Sequence, residues 1–295
     1  MKHLLSFLFS CLFLLPVSSQ AFLLNEWAEI SQDEPQNQES GSGQPTKLWI
    51  ETHSGMDFIW LPGGCYKMGS PPRADGRDAD EQPVHRVCVS GFWMGKNEVT
   101  QAQWRTIMRS NPAQFNKGDD HPVERVDFDE VTRLTQRLNK QYDGKAVFRL
   151  PTEAEWEYAC REGGLRTPYP GVDPLEKIAW FKGNSLDSTQ QTGSRLPNRL
   201  GLYDMSGNVW EWVQDSYDKF SYNHHQENDP KFEEKGEFRV IRGGSWKEGR
   251  EALRCANRGF NLFSSKRPDV GVRLVVFVKQ QKAMKEQLDL NILPF

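Results

Sequence analysis

Gly201-Leu-Tyr-Asp-Met-Ser-Gly-Asn-Val-Trp-Glu-Trp212 packs two turn glycines, an Asp, an Asn, a Glu and two Trp into one short stretch. A regular strand or helix has no use for that density of turn formers and oxygen donors. Asp204, the carbonyls of Gly207 and Val209, and Glu211 fall at i, i+3, i+5 and i+7. In a looped backbone this spacing turns two carboxylates and two carbonyl oxygens toward one hard cation, the oxygen shell that calcium prefers. In a plain Gly-rich turn the same acids would cap their own backbone instead. Trp210 and Trp212 alternate with Glu211 and should point away from the ion into packed surroundings.

Around this stretch the chain has ample material for a core: 295 residues, 37% hydrophobic, with ten Trp and seventeen Phe. Lys2 and His3 precede an apolar run from Leu4 to Leu15, then Pro16 and Ser19-Gln-Ala21. That is the pattern of a cleaved secretory signal over 1–21. Residues 22–47 include the polar stretch Ser31–Pro45 and read as a disordered linker, 48–278 as one folded domain, and 279–295 as a Lys-rich tail. No later segment offers eighteen consecutive apolar residues, so no membrane span is expected once the signal is gone. The expectation is a secreted or periplasmic protein. A formal charge of -3 leaves no basic excess for nucleic acid.

Cys11 lies in the signal, leaving Cys65, Cys88, Cys160 and Cys255. In an oxidising compartment four cysteines suggest two disulfides with three possible connectivities. Cys65 and Cys88 flank a polar loop, Ser70 to Gln82, and could staple it. No Cys-x-x-Cys occurs, and no His takes a zinc-ligand spacing with Cys.

Three helices are marked by a small polar N-cap with Glu or Gln three residues on: Thr100 with Gln103, Asp127 with Glu130, and Thr152 with Glu155. Trp104, Ile107 and Met108, then Val131, Leu134 and Leu138, then Trp156 and Ala159, should face inward. Strands are expected over Met56–Pro62, around Cys65 and Val84–Val89, from Arg239 into the double-glycine turn, and as a final strand over Val270–Val278. The His224-His225 pair sits in a polar loop, Ser216 to Gly236, and reads as solvated.

Six motifs now stand in order: Leu61-Pro-Gly-Gly with Met68-Gly-Ser70, Asn97-Glu-Val-Thr100, Arg149-Leu-Pro-Thr-Glu-Ala-Glu-Trp-Glu-Tyr-Ala159, Gly201 to Trp212, Arg242-Gly-Gly-Ser-Trp246, and Val270-Gly-Val-Arg273. Together they resemble the formylglycine-generating enzyme, or sulfatase-modifying-factor, family over residues 48–278. The resemblance implies an α+β domain with little regular secondary structure and a C-type-lectin-like fold. It implies structural calcium at Asp204, Gly207, Val209 and Glu211. A second family calcium site would use Asn184, but the segment that should carry its Asp is deleted.

The family's oxidases hold copper(I) with two cysteines after the Gly-Gly-Ser turn, and a soft ion of this kind needs thiolates. Here Glu248 occupies the first of those positions and the second is missing, so copper is not expected. Cys160 and Cys255 match a structural pair of the family, which leaves Cys65 for Cys88. The resemblance thus implies a pocket of Trp210, Ser245, Trp246, Glu248 and Arg250, suited to a peptide or small polar ligand or to an exported partner protein. The expected function is a calcium-stabilised binding, accessory or maturation factor; the alternative is an enzyme of the same family, a formylglycine-generating oxidase acting on sulfatases or another peptide or metabolite oxidase, that uses Glu248 as acid or base rather than a cysteine pair.

Overall fold

The computed structural model describes residues 36–39, 45–171 and 173–279, all within a unit running from Pro35 to Phe295. The signal expected over 1–21 and all but the first residue of the expected tail lie outside the described residues. In chain order the strands are β1 (Gln36–Glu39), β2 (Pro45–Glu51), β3 (Met56–Leu61), β4 (Gly64–Met68), β5 (His85–Val89), β6 (Phe92–Gly95), β7 (Ala146–Arg149), β8 (Trp210–Ser216), β9 (Phe238–Arg242), β10 (Gly259–Leu262), β11 (Val270–Gly271) and β12 (Val275–Val278). They form a six-stranded sheet in the order β1-β2-β3-β6-β12-β7, a four-stranded sheet β10-β9-β8-β11, and the hairpin β4-β5.

The helices are α1 (Gln101–Met108), α2 (Phe128–Tyr142), α3 (Glu153–Cys160) and the single turn α4 (Leu175–Ile178). Thr100, Asp127 and Thr152 each close a capping box, two orphan amides satisfied reciprocally. α2 buries Val131, Leu134 and Leu138. Every residue of α3 is buried, acids included, so its Glu153, Glu155 and Glu157 must find partners inside the protein.

Three expectations need correction. The linker assigned to 22–47 contains β1 and the start of β2, paired antiparallel, because ladder hydrogen bonds come from the backbone and need no apolar side chains. The final strand over 270–278 is two strands in two sheets: β11 pairs parallel with β8, and β12 pairs with β6 and β7. Arg273 sits at the crossover, fully buried. His225 is half-buried and bonded, whereas its neighbour His224 is exposed.

Both disulfides form. Cys65 faces Cys88 directly across the β4-β5 ladder, and Cys160, ending α3, is bonded to Cys255.

Candidate functional site

The Gly201–Trp212 stretch is a junction. Gly207 has φ 90°, and a Cβ there would lie 2.1 Å from the Trp180 carbonyl, so only glycine fits. Gly207 N–H donates to Gly243 O (2.8 Å), and Asn208 N–H donates to Trp180 O (2.8 Å). This fastens the stretch to both the Trp180 segment and the double-glycine turn after β9.

Three buried carboxylates gather behind it. Glu98 accepts from Val209 N–H (3.0 Å) and Asn208 Nδ2 (2.6 Å). Asp204 accepts from Gly193 N–H at Oδ2 (2.7 Å), while its Oδ1 is buried with no hydrogen-bond partner among the described residues. Asn97 Oδ1 is likewise unpartnered, and it lies where a Cβ on Gly193 would approach to 2.9 Å. Two orphaned oxygens therefore flank Gly193. Burial raises the pKa of Asp204 to about 6, and burial with the charges of Asp204 and Glu211 raises Glu98 well above the carboxylate range.

Glu211 differs from the expected donor. Arg273 grips it from Nε (3.0 Å) and Nη2 (2.7 Å), and Trp156 Nε1 donates to its other oxygen (2.6 Å). Arg273 also donates to the carbonyls of Gly95, Lys96 and Tyr203. A guanidinium thus supplies the cation at Glu211, and the free oxygens are those of Asp204 and Asn97. Glu98, quoted in the sequence only as part of a motif, is the acid that sequence reasoning missed. Asn184 Oδ1 accepts from Phe181 N–H (2.9 Å), a turn contact.

The double-glycine turn presents the other half of the site. Gly243 (φ 101°) lies against Trp156, and Gly244 (φ 75°) leaves no room for a Cβ beside Ala252 O. Ser245 is buried, its Oγ without a partner among the described residues. Trp246 is fixed by its N–H to Asn208 O (2.8 Å), by Nε1 to Pro268 O (3.2 Å), and by an edge contact with Phe115 at 5.3 Å. Glu248 is half-buried, and its carboxylate has no hydrogen-bond or ion-pair partner among the described residues.

The expected pocket comes together only in part. Trp210 is buried on β8, packed against Gly259 and Ile241, its Nε1 unpartnered. Arg250 is exposed, pairs with Glu176, and lies over the Phe181 ring at 5.4 Å. That ion pair holds Arg250 beside α4. A cavity of 320 Å³ is instead lined by Phe128, Gln214, Ser216, Glu233, Glu234, Lys235 and Arg239, at the far end of β8. None of the five expected pocket residues lines it.

Copper(I) does not fit the donors present. Glu248 offers hard oxygens, and all four cysteines of the described residues are joined in disulfides.

The sequence model of the sulfatase-modifying factor enzyme 1-like domain matches residues 50–278. The chain is 31% identical over 234 residues to the serine/threonine-protein kinase Pkn1 of Chlamydia trachomatis serovar L2, covering 70% of this chain but only 36% of that protein. To the chaperone protein LppX of Paenibacillus barcinonensis it is 27% identical over 270 residues, covering 74% of this chain and 89% of LppX. The solved structure of PvdO from Pseudomonas aeruginosa superposes with a TM-score of 0.71 at 27% identity, covering 81% of this chain and 99% of that one.

Proposed function

The chain belongs to the sulfatase-modifying factor enzyme 1-like family, and on that footing we propose that it is an exported, calcium-stabilised binding, accessory or maturation factor without copper oxidase chemistry. One observation carries this reading: beside the Gly-Gly-Ser turn stands the carboxylate of Glu248, and each cysteine of the described residues is already bonded to another. Thiol oxidation through copper(I) needs free thiolates at that place.

What the turn offers instead is recognition. The Trp246 and Phe115 rings meet at the turn that also carries the unpaired carboxylate of Glu248, a set suited to a peptide or small polar ligand with a basic or hydroxyl group. The likeness to a protein named as a chaperone points the same way. Calcium has support from the chemistry of the donors: Asp204 Oδ1 and Asn97 Oδ1 are buried without partners, and Glu98 adds a third hard oxygen donor nearby. Bound there with the Gly207 and Val209 carbonyls, the ion would supply the positive charge that one arginine leaves short. Asp204 and Glu98 would hold it, while Glu211 keeps Arg273 in place.

Thiol titration of the chain after loss of residues 1–21, denatured without reductant, tests the reading. The expected result is less than one thiol per chain, with no stoichiometric copper(I) bound by the folded protein and no aldehyde formed on a sulfatase peptide. Two free thiols, or aldehyde formation, would overturn it.

A further inference from the structure

The loop between β8 and β9 is docked, and the docking sets up a site unrelated to the Gly-Gly-Ser turn. Cys88 N–H donates to Glu227 O (2.7 Å), Asp229 N–H donates to Cys88 O (2.8 Å), and Asp229 accepts from Ser90 N–H (2.6 Å). These bonds hold the loop on strand β5 and bring His225 onto His85, with Nδ1 of His225 3.1 Å from Nε2 of His85.

The tautomers follow from what each partner can do. His85 Nδ1 is 2.9 Å from Pro83 O, and a carbonyl only accepts, so His85 Nδ1 carries the proton. Neutral His85 then has a bare Nε2, which accepts from His225 Nδ1–H. The remaining nitrogen, His225 Nε2, is left as a lone pair. It is buried and has no hydrogen-bond partner among the described residues.

That lone pair does not face donors. A His225 nitrogen, a Glu153 oxygen and an Asp215 oxygen all lie within 4.8 Å of one another, with both acids fully buried. Each Asp215 oxygen takes one backbone N–H, from Glu153 (2.7 Å) and Phe232 (2.9 Å), which leaves lone pairs free on both. The nearby donors serve Glu153: Arg242 Nη1 lies 3.8 Å from its Oε1, and the Tyr222 hydroxyl donates to the same oxygen (3.3 Å). Arg258 grips Glu153 from Nε (2.7 Å) and Nη2 (3.0 Å), and Arg242 bonds Glu157 and the carbonyls of Cys255, Ala256 and Asn257. Neither bonds Asp215. Three acceptors thus converge, with lone pairs free on Asp215 and His225 and the neighbouring cations confined to Glu153.

We propose that His225, Asp215 and Glu153 form a binding site for a divalent cation of the zinc class. One imidazole nitrogen and two carboxylates make a mixed nitrogen and oxygen set that suits zinc and leaves an open coordination position. The His225 Nδ1–H to His85 bond, relayed to the Pro83 carbonyl, is the outer-shell arrangement that orients a metal-binding imidazole. Glu153 opens helix α3, Asp215 lies on β8 and His225 comes from the docked loop, so the ion would tie three separate elements together.

The test is titration of the full chain, stripped by chelator, with zinc chloride at neutral pH, followed calorimetrically and by metal analysis after gel filtration. One zinc per chain is expected, not displaced by excess calcium, which wants an all-oxygen shell. His225→Ala should lose the stoichiometric zinc, and His85→Ala, which removes only the outer partner, should weaken binding by about 10- to 100-fold. Asp215→Asn, checked for native circular dichroism, should also lose it. No zinc retained by the wild-type chain, or equal zinc in His225→Ala, would overturn the site. Because none of these residues touches Ser245 or Glu248, failure here leaves the reading of the turn intact.

Discussion

Two buried charge clusters share strand β8, and they are furnished in opposite ways. On α3, Glu157 is paired with Arg161 and Arg242, and Glu153 with Arg258. Around Arg273, three carboxylates (Glu98, Asp204 and Glu211) share a single buried guanidinium, which of the three bonds only Glu211. At Glu153 and Glu157 the first cluster carries its own cations and works as an internal brace, leaving only the neighbouring Asp215 without one. The second is short of positive charge and leaves oxygens unpartnered, the condition of a site that waits for an ion.

The largest expected effect comes from breaking the brace. Arg242→Met leaves Glu157 buried and short of a partner, together with three carbonyls that lose their donor. Removing one partner of a buried pair costs about 3–5 kcal/mol, read as a lowered urea midpoint at unchanged slope. A loss below about 1 kcal/mol, the size of a surface pair, would mean that the cluster is no brace.

Asp204→Asn sharpens the contrast from the other side. It removes charge from the undersupplied cluster while keeping an oxygen for Gly193 N–H. In chelator its unfolding temperature should equal or exceed that of the wild type, against the loss in Arg242→Met. Calcium at a hundredfold excess over Kd stabilises a binding protein by about 2.7 kcal/mol, so the wild type should gain that much and the variant should not. Equal calcium response in both proteins would remove Asp204 from the ligand set.

How much of this was legible in the sequence divides along the same line. Capping boxes are local, so Thr100, Asp127 and Thr152 announced their helices, and Val131, Leu134 and Leu138 their buried face. β6 and β7 left no such sign: each has four residues, Phe92–Gly95 is buried throughout, and the alternating burial of Ala146–Arg149 is hidden in the sequence by its apolar run Ala-Val-Phe. The Val270–Val278 run reads as one strand because its apolar residues continue through the change of sheet. Arg273, placed at that change, is the only local hint of it. The site divides likewise. Asp204 and Glu211 stood out by spacing, but the partner that ties up Glu211 lies 62 residues on. His225 reads as solvated in the sequence because its contact with His85 spans 140 residues, and nothing within the loop reports it.

Glu124 gives the smallest effect and the test with a definite sign. It is fully buried, accepts from Phe115 N–H at one oxygen (2.7 Å), and has no partner for the other among the described residues. Burial raises its pKa to about 7, against backbone hydrogen bonds and Arg125 that pull it down. A carboxyl free in the unfolded chain titrates near 4.3. Between about pH 4.5 and 7 the folded protein therefore holds a proton that the unfolded chain has released. Stability from this group is present at the acid end of that window and is lost as the pH rises through it. Glu124→Gln keeps the shape and the acceptor for Phe115 while removing the titration. The difference in unfolding temperature, variant minus wild type, should then grow between pH 5.5 and pH 8. The wild type loses ground over that range because it must ionise a carboxylate that has no cation bonded to it. A difference that stays flat with pH would mean that Glu124 finds its missing partner on folding, and that orphaned acids in this protein do not by themselves mark a shortage of charge.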